Sequence, residues 1–216
     1  MGKNTAHKFN KVAKIYNTPI FQLYYLWAHK ACINFLKDYV KDKFKVLDVA
    51  CGTGIFLRKI DKHYKGLELF GIDNSKEMIS IANQYPDVIN FMVASADKIP
   101  FENNSFDLIT IIDAFYYFQD KEAVLKECFR ILKPNHSLLI FYPAIDIFPK
   151  FILEQIKFFS RLFLMNLEEY SDFIKVKPLK NMAIATNFAS VEEKTKLIHR
   201  FFIFIKNENT NKKTCA

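Results

Sequence analysis

The chain has 216 residues, half of them hydrophobic and a quarter charged, a balance that excludes a disordered segment and allows one or two domains with an ordinary core. It holds no run of 18 apolar residues, so no transmembrane helix is expected, and its four cysteines and five histidines lack the spacing of a disulfide framework or a zinc site. The net charge of +8 is concentrated in residues 1–45, where nine Lys and two Asp give +7.

Such a basic arm can face nucleic acid, an anionic lipid surface or an acidic substrate, and it can equally be a solvated face in a chain whose Lys outnumber its Arg 27 to 4. Scarce Arg counts against base reading, which favours Arg forks. The opening stretch MGKNTAHKFNK lacks the apolar core of a secretory signal, and Ala6 breaks the myristoylation pattern that Gly2 begins. Cys32, Cys51, Cys128 and Cys215 therefore read as free thiols in a reducing cytoplasm.

Residues 19–40, dense in apolar and aromatic groups, predict a helix, and KVLDVA (45–50) predicts a buried strand ending at a glycine turn. A helix should run from about Thr53 to Tyr64, stopped by Gly66. LELFGI (67–72) reads as a strand, followed by a helix from Ser75 to about Tyr85 before Pro86. NFMVA (90–94) and FDLITII (106–112) are further strands, and DKEAVLKECFRIL (120–132) is a helix with Asp120 as its N-cap. SLLIFY (137–142) is a fifth strand. Strands alternating with helices imply a parallel sheet covered on both faces. Beyond it, residues 148–168 predict an amphipathic helix with Lys150, Glu154, Lys157 and Arg161 on one polar stripe. FASVEE and HRFFIFIK, too close for a helical crossover, should pair antiparallel at a sheet edge.

The chemistry concentrates in VLDVACGTG (46–54), which holds two of the five glycines between a strand and a helix, where backbone can approach a ligand closely. Asp73 closes the second strand 19 residues after Gly54, a position from which a carboxylate can accept both hydroxyls of a ribose. With Asp48, Asp97 and Asp113 it places four acids at or just past the carboxyl ends of four strands, the crevice edge of an open α/β sheet. An acid beside the glycine turn repels a pyrophosphate. S-adenosylmethionine, with a sulfonium, an ammonium and no phosphate, suits it. The third glycine of a dinucleotide fingerprint is also missing, since Leu57 stands there.

These segments resemble, in order, the motifs of class I S-adenosylmethionine-dependent methyltransferases: VLDVACGTG the first, GIDNSKEM the second, SADKIPF the third, FDLITIIDAFYYF the fourth, and RILKP the R-x-L-K-P before the fifth strand. Glycine is common in that family at position 50 and after the Lys-Pro, where this chain has Ala50 and Asn135-His136; Asn tolerates the left-handed conformation. HKFNKVAKIYN (7–17) is similar to the F-D-x-V-A-x-x-Y-D segment of small-molecule members, the quinone-biosynthesis and phospholipid N-methyltransferases.

The resemblance implies a Rossmann-like, doubly wound, seven-stranded, mostly parallel sheet with one antiparallel edge strand. It implies one methyltransferase domain over 1–216: a helical cap (1–44), a cofactor-binding core (45–142), a lid or substrate insertion between strands five and six (143–187), a final strand pair (188–206) and a flexible tail (207–216). The cofactor implied is S-adenosyl-L-methionine, held by Tyr16, Asp48, Ala50, Cys51, Gly52, Gly54, Asp73, Asn74, Met78, Asp97, Lys98 and Asp113, with Asp73 on the ribose, Asp97 toward the adenine and no metal. The reaction is then in-line displacement at the sulfonium methyl, in which the protein mainly aligns the reactants. A general base is needed only for a protonated nucleophile; Tyr16, Asp113, Tyr116 and His136 are the candidates. Tyr116 and Tyr117 follow the fourth strand where the family carries substrate-facing aromatics or histidines, whereas His29, His136 and His199 read as structural or surface groups, so His136 stands under both readings.

The apolar 148–168 segment suits a small, apolar or lipid-like acceptor, or an anionic membrane surface touched from the cytoplasm; packing into the core or against a second copy is the other reading. Two alternatives stand beside the small-molecule enzyme: a nucleic-acid methyltransferase using the basic arm, and a non-catalytic cofactor-binding module. Asp113-Ala114-Phe115-Tyr116 lacks the D/N-P-P-Y/F pattern of amino-methylating nucleic-acid enzymes, and the intact Asp48, Gly52, Gly54 and Asp73 count against the module.

Overall fold

The computed structural model describes residues 16–86, 88–143, 176–196 and 199–207, together with residues 7, 9, 10, 13 and 14. Among the described residues seven strands form one sheet: β1 Lys45–Val49, β2 Glu68–Asp73, β3 Asn90–Val93, β4 Phe106–Ile112, β5 Leu132–Pro143, β6 Ser190–Lys196 and β7 His199–Ile205, in the order β3-β2-β1-β4-β5-β7-β6. The pairings from β3 through β5 are parallel, while β7 runs antiparallel to both β5 and β6. The strand order reverses between β1 and β4, which makes their carboxyl ends the crevice of the fold.

Each parallel strand is an apolar run because both of its faces are covered. One core packs α4 (Lys121–Ile131) and α5 (Val176–Ala185) onto the face that carries Leu47, Val49, Ile109, Ile111, Leu138 and Ile140. On the opposite face α1 (Pro19–Leu36), α2 (Ile55–His63) and α3 (Lys76–Ala82) cover Val46, Leu108, Leu139 and Phe141. The described residues among 7–16 are helical and lie against this second layer through Ala13, Tyr16 and Met78. No helix among the described residues is long and apolar enough to cross a membrane. Cys32, Cys51 and Cys128 are buried free thiols.

The predicted caps form as expected: Ser75 Oγ accepts the Met78 N–H, and Asp120 Oδ1 accepts the Ala123 N–H at 2.8 Å. Several boundaries differ. The α1 helix ends at Leu36 rather than at residue 40, and β6 runs over Ser190–Lys196 rather than 188–193. The α3 helix ends at Ala82 rather than near Tyr85, because the chain must leave the helical region ahead of Pro86. The β5 strand starts at Leu132, five residues before Ser137. Asn135 takes φ 63 and donates its N–H to the Lys206 carbonyl, and the register slips between Phe106 and Leu108 to absorb the extra residues.

The R-x-L-K-P stretch is a clamp. Arg130 donates to the carbonyls of Ile99 (2.9 Å) and Phe101 (2.7 Å), Glu127 accepts the Ile99 N–H, and the Lys133 ammonium sits 2.8 Å from Asp107. Residues 99–101, and with them the loop beyond β3, are thereby tied to α4. The predicted 148–168 helix falls outside the described residues; of the 143–187 insertion, only Pro143 and residues 176–187, which contain α5, are described.

Candidate functional site

The turn after β1 is built from three left-handed residues in five: Ala50 (φ 63), Gly52 (φ 56) and Gly54 (φ 75). Such a turn carries the backbone across the top of the sheet and into α2, whose N-cap is Gly54. Phe91 fixes the turn from below. A Cβ on Gly54 would stand 2.3 Å from Phe91 Cζ, and one on Gly71 would stand 2.7 Å from Phe91 Cδ1. Both glycines therefore make room for one ring.

Asp73, at the end of β2, is buried and joins two loops. Its Oδ2 accepts the Gly52 N–H at 2.9 Å and its Oδ1 accepts the Ser75 N–H at 2.8 Å. Desolvation lifts its carboxyl above the ordinary range, and the backbone donors oppose that shift. Asp113, one residue past β4, takes a left-handed φ of 53, donates its N–H to the Phe141 carbonyl and accepts the Tyr116 hydroxyl at 3.0 Å.

The N-terminal segment closes over these loops through two long-range bonds. Thr53 Oγ1 donates to Asn17 Oδ1 and Ser75 Oγ to Asn10 Oδ1, each at 2.6 Å. Beneath the segment lies an opening. Phe9, Tyr16, Tyr25, Ala50, Gly52, Asp73, Met78, Ile112, Asp113, Ala114 and Tyr117 line it. A second opening shares Ala50 and Asp73 and continues past Asn74 to Ala94, Ala96 and Phe118. The crevice is thus one cleft pinched at Asp73.

Of the residues singled out from the sequence, Tyr16, Ala50, Gly52, Asp73, Met78 and Asp113 meet in the first opening, and Asn74 lines the second. Tyr116 is buried behind Asp113. Gly54 and Cys51 shape the turn without lining either opening. Asp48 lies inside β1, fully enclosed, where its Oδ1 accepts the Thr110 hydroxyl at 2.7 Å. Asp97 and Lys98 are exposed and line neither opening, with the Asp97 carboxylate accepting the Ser95 hydroxyl. His136 is removed from the candidate bases. Its Nε2 lies 3.2 Å from Asp107 at the amino end of β4, and the six residues to Asp113 span roughly 20 Å of extended strand. Phe9 and Tyr25 were not foreseen. Tyr25 sits in an apolar helix and reaches the cleft only because α1 crosses over it. The spacing of nine residues from Tyr16 carries no periodic signal.

The phenols of Tyr16 and Tyr25 hydrogen-bond to each other, and desolvation pushes both well above the ordinary tyrosine value. Both stay protonated at neutral pH, which counts against Tyr16 as a base. Burial lifts Asp48 from 3.8 to about 7, against the Thr110 hydrogen bond. Asp48 holds its proton more tightly folded than unfolded. Its contribution to stability is full below about pH 4 and is lost as pH rises to about 7. His29 acts oppositely. Burial, then the Lys59 ammonium 3.1 Å from Nδ1, pushes it down to about 3, so its contribution is full above about pH 6.5 and is lost as pH falls to about 3. Asp48→Asn is therefore expected to gain stability over the wild type between about pH 4 and 7, by at most about 1.4 kcal/mol per pH unit. Urea midpoints measured across that window check this; a constant offset would show that Asp48 titrates as an ordinary carboxyl.

Residues 47–140 match a protein family described as a methyltransferase domain. A demethylmenaquinone methyltransferase of Thermotoga maritima is 41% identical over 96 residues, 44% of this chain and 42% of that protein, so the match covers less than half of that relative. A demethylmenaquinone methyltransferase of Staphylococcus aureus is 28% identical over 213 residues, 88% of this chain and 87% of that protein. Among solved structures, phosphoethanolamine N-methyltransferase 2 of Haemonchus contortus, in complex with S-adenosyl-L-methionine, superposes with a TM-score of 0.68. It is 17% identical, covers 93% of this chain and 60% of its own, and shows a shared fold. The sequence motifs, the reversal of strand order at the cleft and these likenesses agree: residues 47–140 are similar to the methyltransferase-domain family, and the chain shares the fold of solved methyltransferases.

Proposed function

We propose that the protein transfers a methyl group from S-adenosyl-L-methionine to a small acceptor with an apolar or lipid-like body. One observation carries the reading: the cleft at the strand reversal joins a buried ribose-height carboxylate, Asp73, to a glycine turn, and none of the described residues lining it is cationic. A ligand with a sulfonium and an ammonium is attracted there, and a pyrophosphate is repelled. In this reading Asp73 accepts the ribose hydroxyls, the second opening takes the adenine beside Asn74, Ala94 and Phe118, and the methionine end lies toward Tyr16 and Asp113. The cofactor supplies an activated methyl. The chain's own residues orient it, and the N-terminal segment shields it from water through Asn10 and Asn17. The curated relatives named as demethylmenaquinone methyltransferases support an acceptor that is a small molecule.

Calorimetry of the full chain is expected to show binding of S-adenosylmethionine and S-adenosylhomocysteine and none of NAD. Binding of NAD alone would overturn the reading. The net +7 of residues 1–45 adds a finer element, peripheral contact with an anionic membrane surface where a lipid-like acceptor would reside. Salt-sensitive co-sedimentation with anionic but not neutral vesicles is the expected result, and equal sedimentation with both would remove that element.

A further inference from the structure

Arg58 lies one turn into α2 and is half-buried. Its Nη2 donates to the Thr53 carbonyl, and its Nη1 donates at 3.5 Å to the carbonyl of Ala82, the last residue of α3. The guanidinium stands 4.0 Å from the centre of the Tyr85 ring. Asn17 of the N-terminal segment completes the arrangement. Its Oδ1 accepts the Thr53 hydroxyl at 2.6 Å, and its Nδ2 donates to the Tyr85 hydroxyl at 3.4 Å. Arg58, Thr53, Asn17 and Tyr85 thus form a closed ring of contacts that joins the glycine turn, α2, the end of α3 and the N-terminal segment. The ring meets the cleft at two points, because Tyr16, next to Asn17, and Gly52, next to Thr53, both line it. Its outer side is wet. Tyr85 is 45% exposed, and Asn17 and Tyr85 line a groove with Lys14, Glu77, Ser80 and Gln84. The Asn17–Tyr85 bond is therefore the side of the ring that water competes for.

We propose that Arg58 is a positioning residue that sets how long the cofactor stays bound. The inference rests on S-adenosylmethionine binding in the cleft as read above, and goes further by naming a residue outside the cleft that governs its release. Arg58 lines neither opening of the cleft. It acts through Thr53 and Tyr85, which together hold Asn17 and with it the neighbouring Tyr16 over the cleft. A guanidinium suits this task because its N–H groups hold two carbonyls while its face stacks on a ring. A lysine ammonium brings the same charge without the planar fork or the stacking face. The Ala82 carbonyl also ends α3, where the helix dipole favours a cation. Without Arg58 the Thr53 carbonyl and the Tyr85 ring lose their common anchor, and the two groups that fasten Asn17 are no longer set for it. The ring closes over a ligand that has already entered, so its loss falls on dissociation.

The test follows S-adenosylhomocysteine binding to the full chain by surface plasmon resonance, with thermal melts to report that each variant is folded. Arg58→Gln is expected to release the ligand at least about fivefold faster, with association no slower than in the wild type. Arg58→Lys is expected to match Arg58→Gln within about twofold, since charge alone does not rebuild the ring. Asn17→Ala should also speed release, and adding Arg58→Gln to it should change the rate by less than about twofold, because the ring is already open. Hydrogen exchange in residues 7–18 of the unliganded chain is expected to rise in Arg58→Gln. An unchanged dissociation rate in folded Arg58→Gln would overturn the proposal and leave Arg58 as a packing residue. So would rescue by Arg58→Lys, full multiplication of the two single effects in the double variant, or an affinity loss arising wholly from slower association. A wild-type chain that binds S-adenosylhomocysteine and variants that release it at the same rate remove this inference alone. A wild-type chain that binds none loses the methyltransferase reading with it.

Discussion

Asp73→Ala is expected to lower the affinity for S-adenosylmethionine at least about tenfold, and to do so by two routes. The first is the loss of the carboxylate that would accept both ribose hydroxyls, charge-assisted bonds worth roughly 1.5–3 kcal/mol each. The second is visible only in the fold. The same carboxylate holds the Gly52 N–H at 2.9 Å and the Ser75 N–H at 2.8 Å, so its removal frees the glycine turn and the start of α3 together. Asp73→Asn separates the two routes. Its amide oxygen can hold one backbone donor, but its NH2 faces the other, so part of the loop anchor survives while the ribose loses its anionic acceptor. Calorimetry of both variants, with thermal melts alongside, checks this. Unchanged affinity in a folded Asp73→Ala chain would place the ribose elsewhere.

Gly54→Ala is expected to destabilise the fold by about 2–5 kcal/mol, combining roughly 1–2 for a side chain at left-handed φ with about 1–3 for overpacking. The backbone there has φ 75, and the new methyl would stand 2.3 Å from Phe91 Cζ and 2.6 Å from Phe91 Cε1. Phe91→Ala in the same chain relieves the clash but not the backbone cost. The double variant should therefore be less destabilised than the sum of the two singles by at least about 1 kcal/mol, a coupling typical of residues in contact. Urea unfolding of the four chains measures it, and strict additivity would show that Phe91 yields without cost.

The alternation of strands and helices was legible because buried parallel strands are written as uninterrupted apolar runs and because Ser75 and Asp120 mark their helix starts by side-chain chemistry. Asp73 and the glycine turn were legible for a related reason: a ligand-facing turn needs residue types that few other positions demand. What the sequence hid was everything decided by distant partners. The β5 strand starts early because Lys133 is drawn to Asp107 and the Asn135 N–H to the Lys206 carbonyl, contacts with no local signature. His136 looked available as a base beside the fifth strand, yet it lies at the strand's amino end, opposite the cleft. Asp48 falls in the first motif but points into the sheet layer toward Thr110 rather than into the crevice. Tyr25 joined the site only through the crossing of α1, and Asn10 and Asn17 only through bonds spanning 65 and 36 residues.

A crystal structure of the full chain with S-adenosylhomocysteine is the most direct measurement of where the cofactor sits. The predicted result has the ribose hydroxyls on Asp73, the adenine beside Asn74 and Phe118, and the thioether sulfur facing Tyr16 and Tyr25 under the N-terminal segment. A nucleoside bound away from Asp73, or a cleft left empty at saturating ligand, would contradict it.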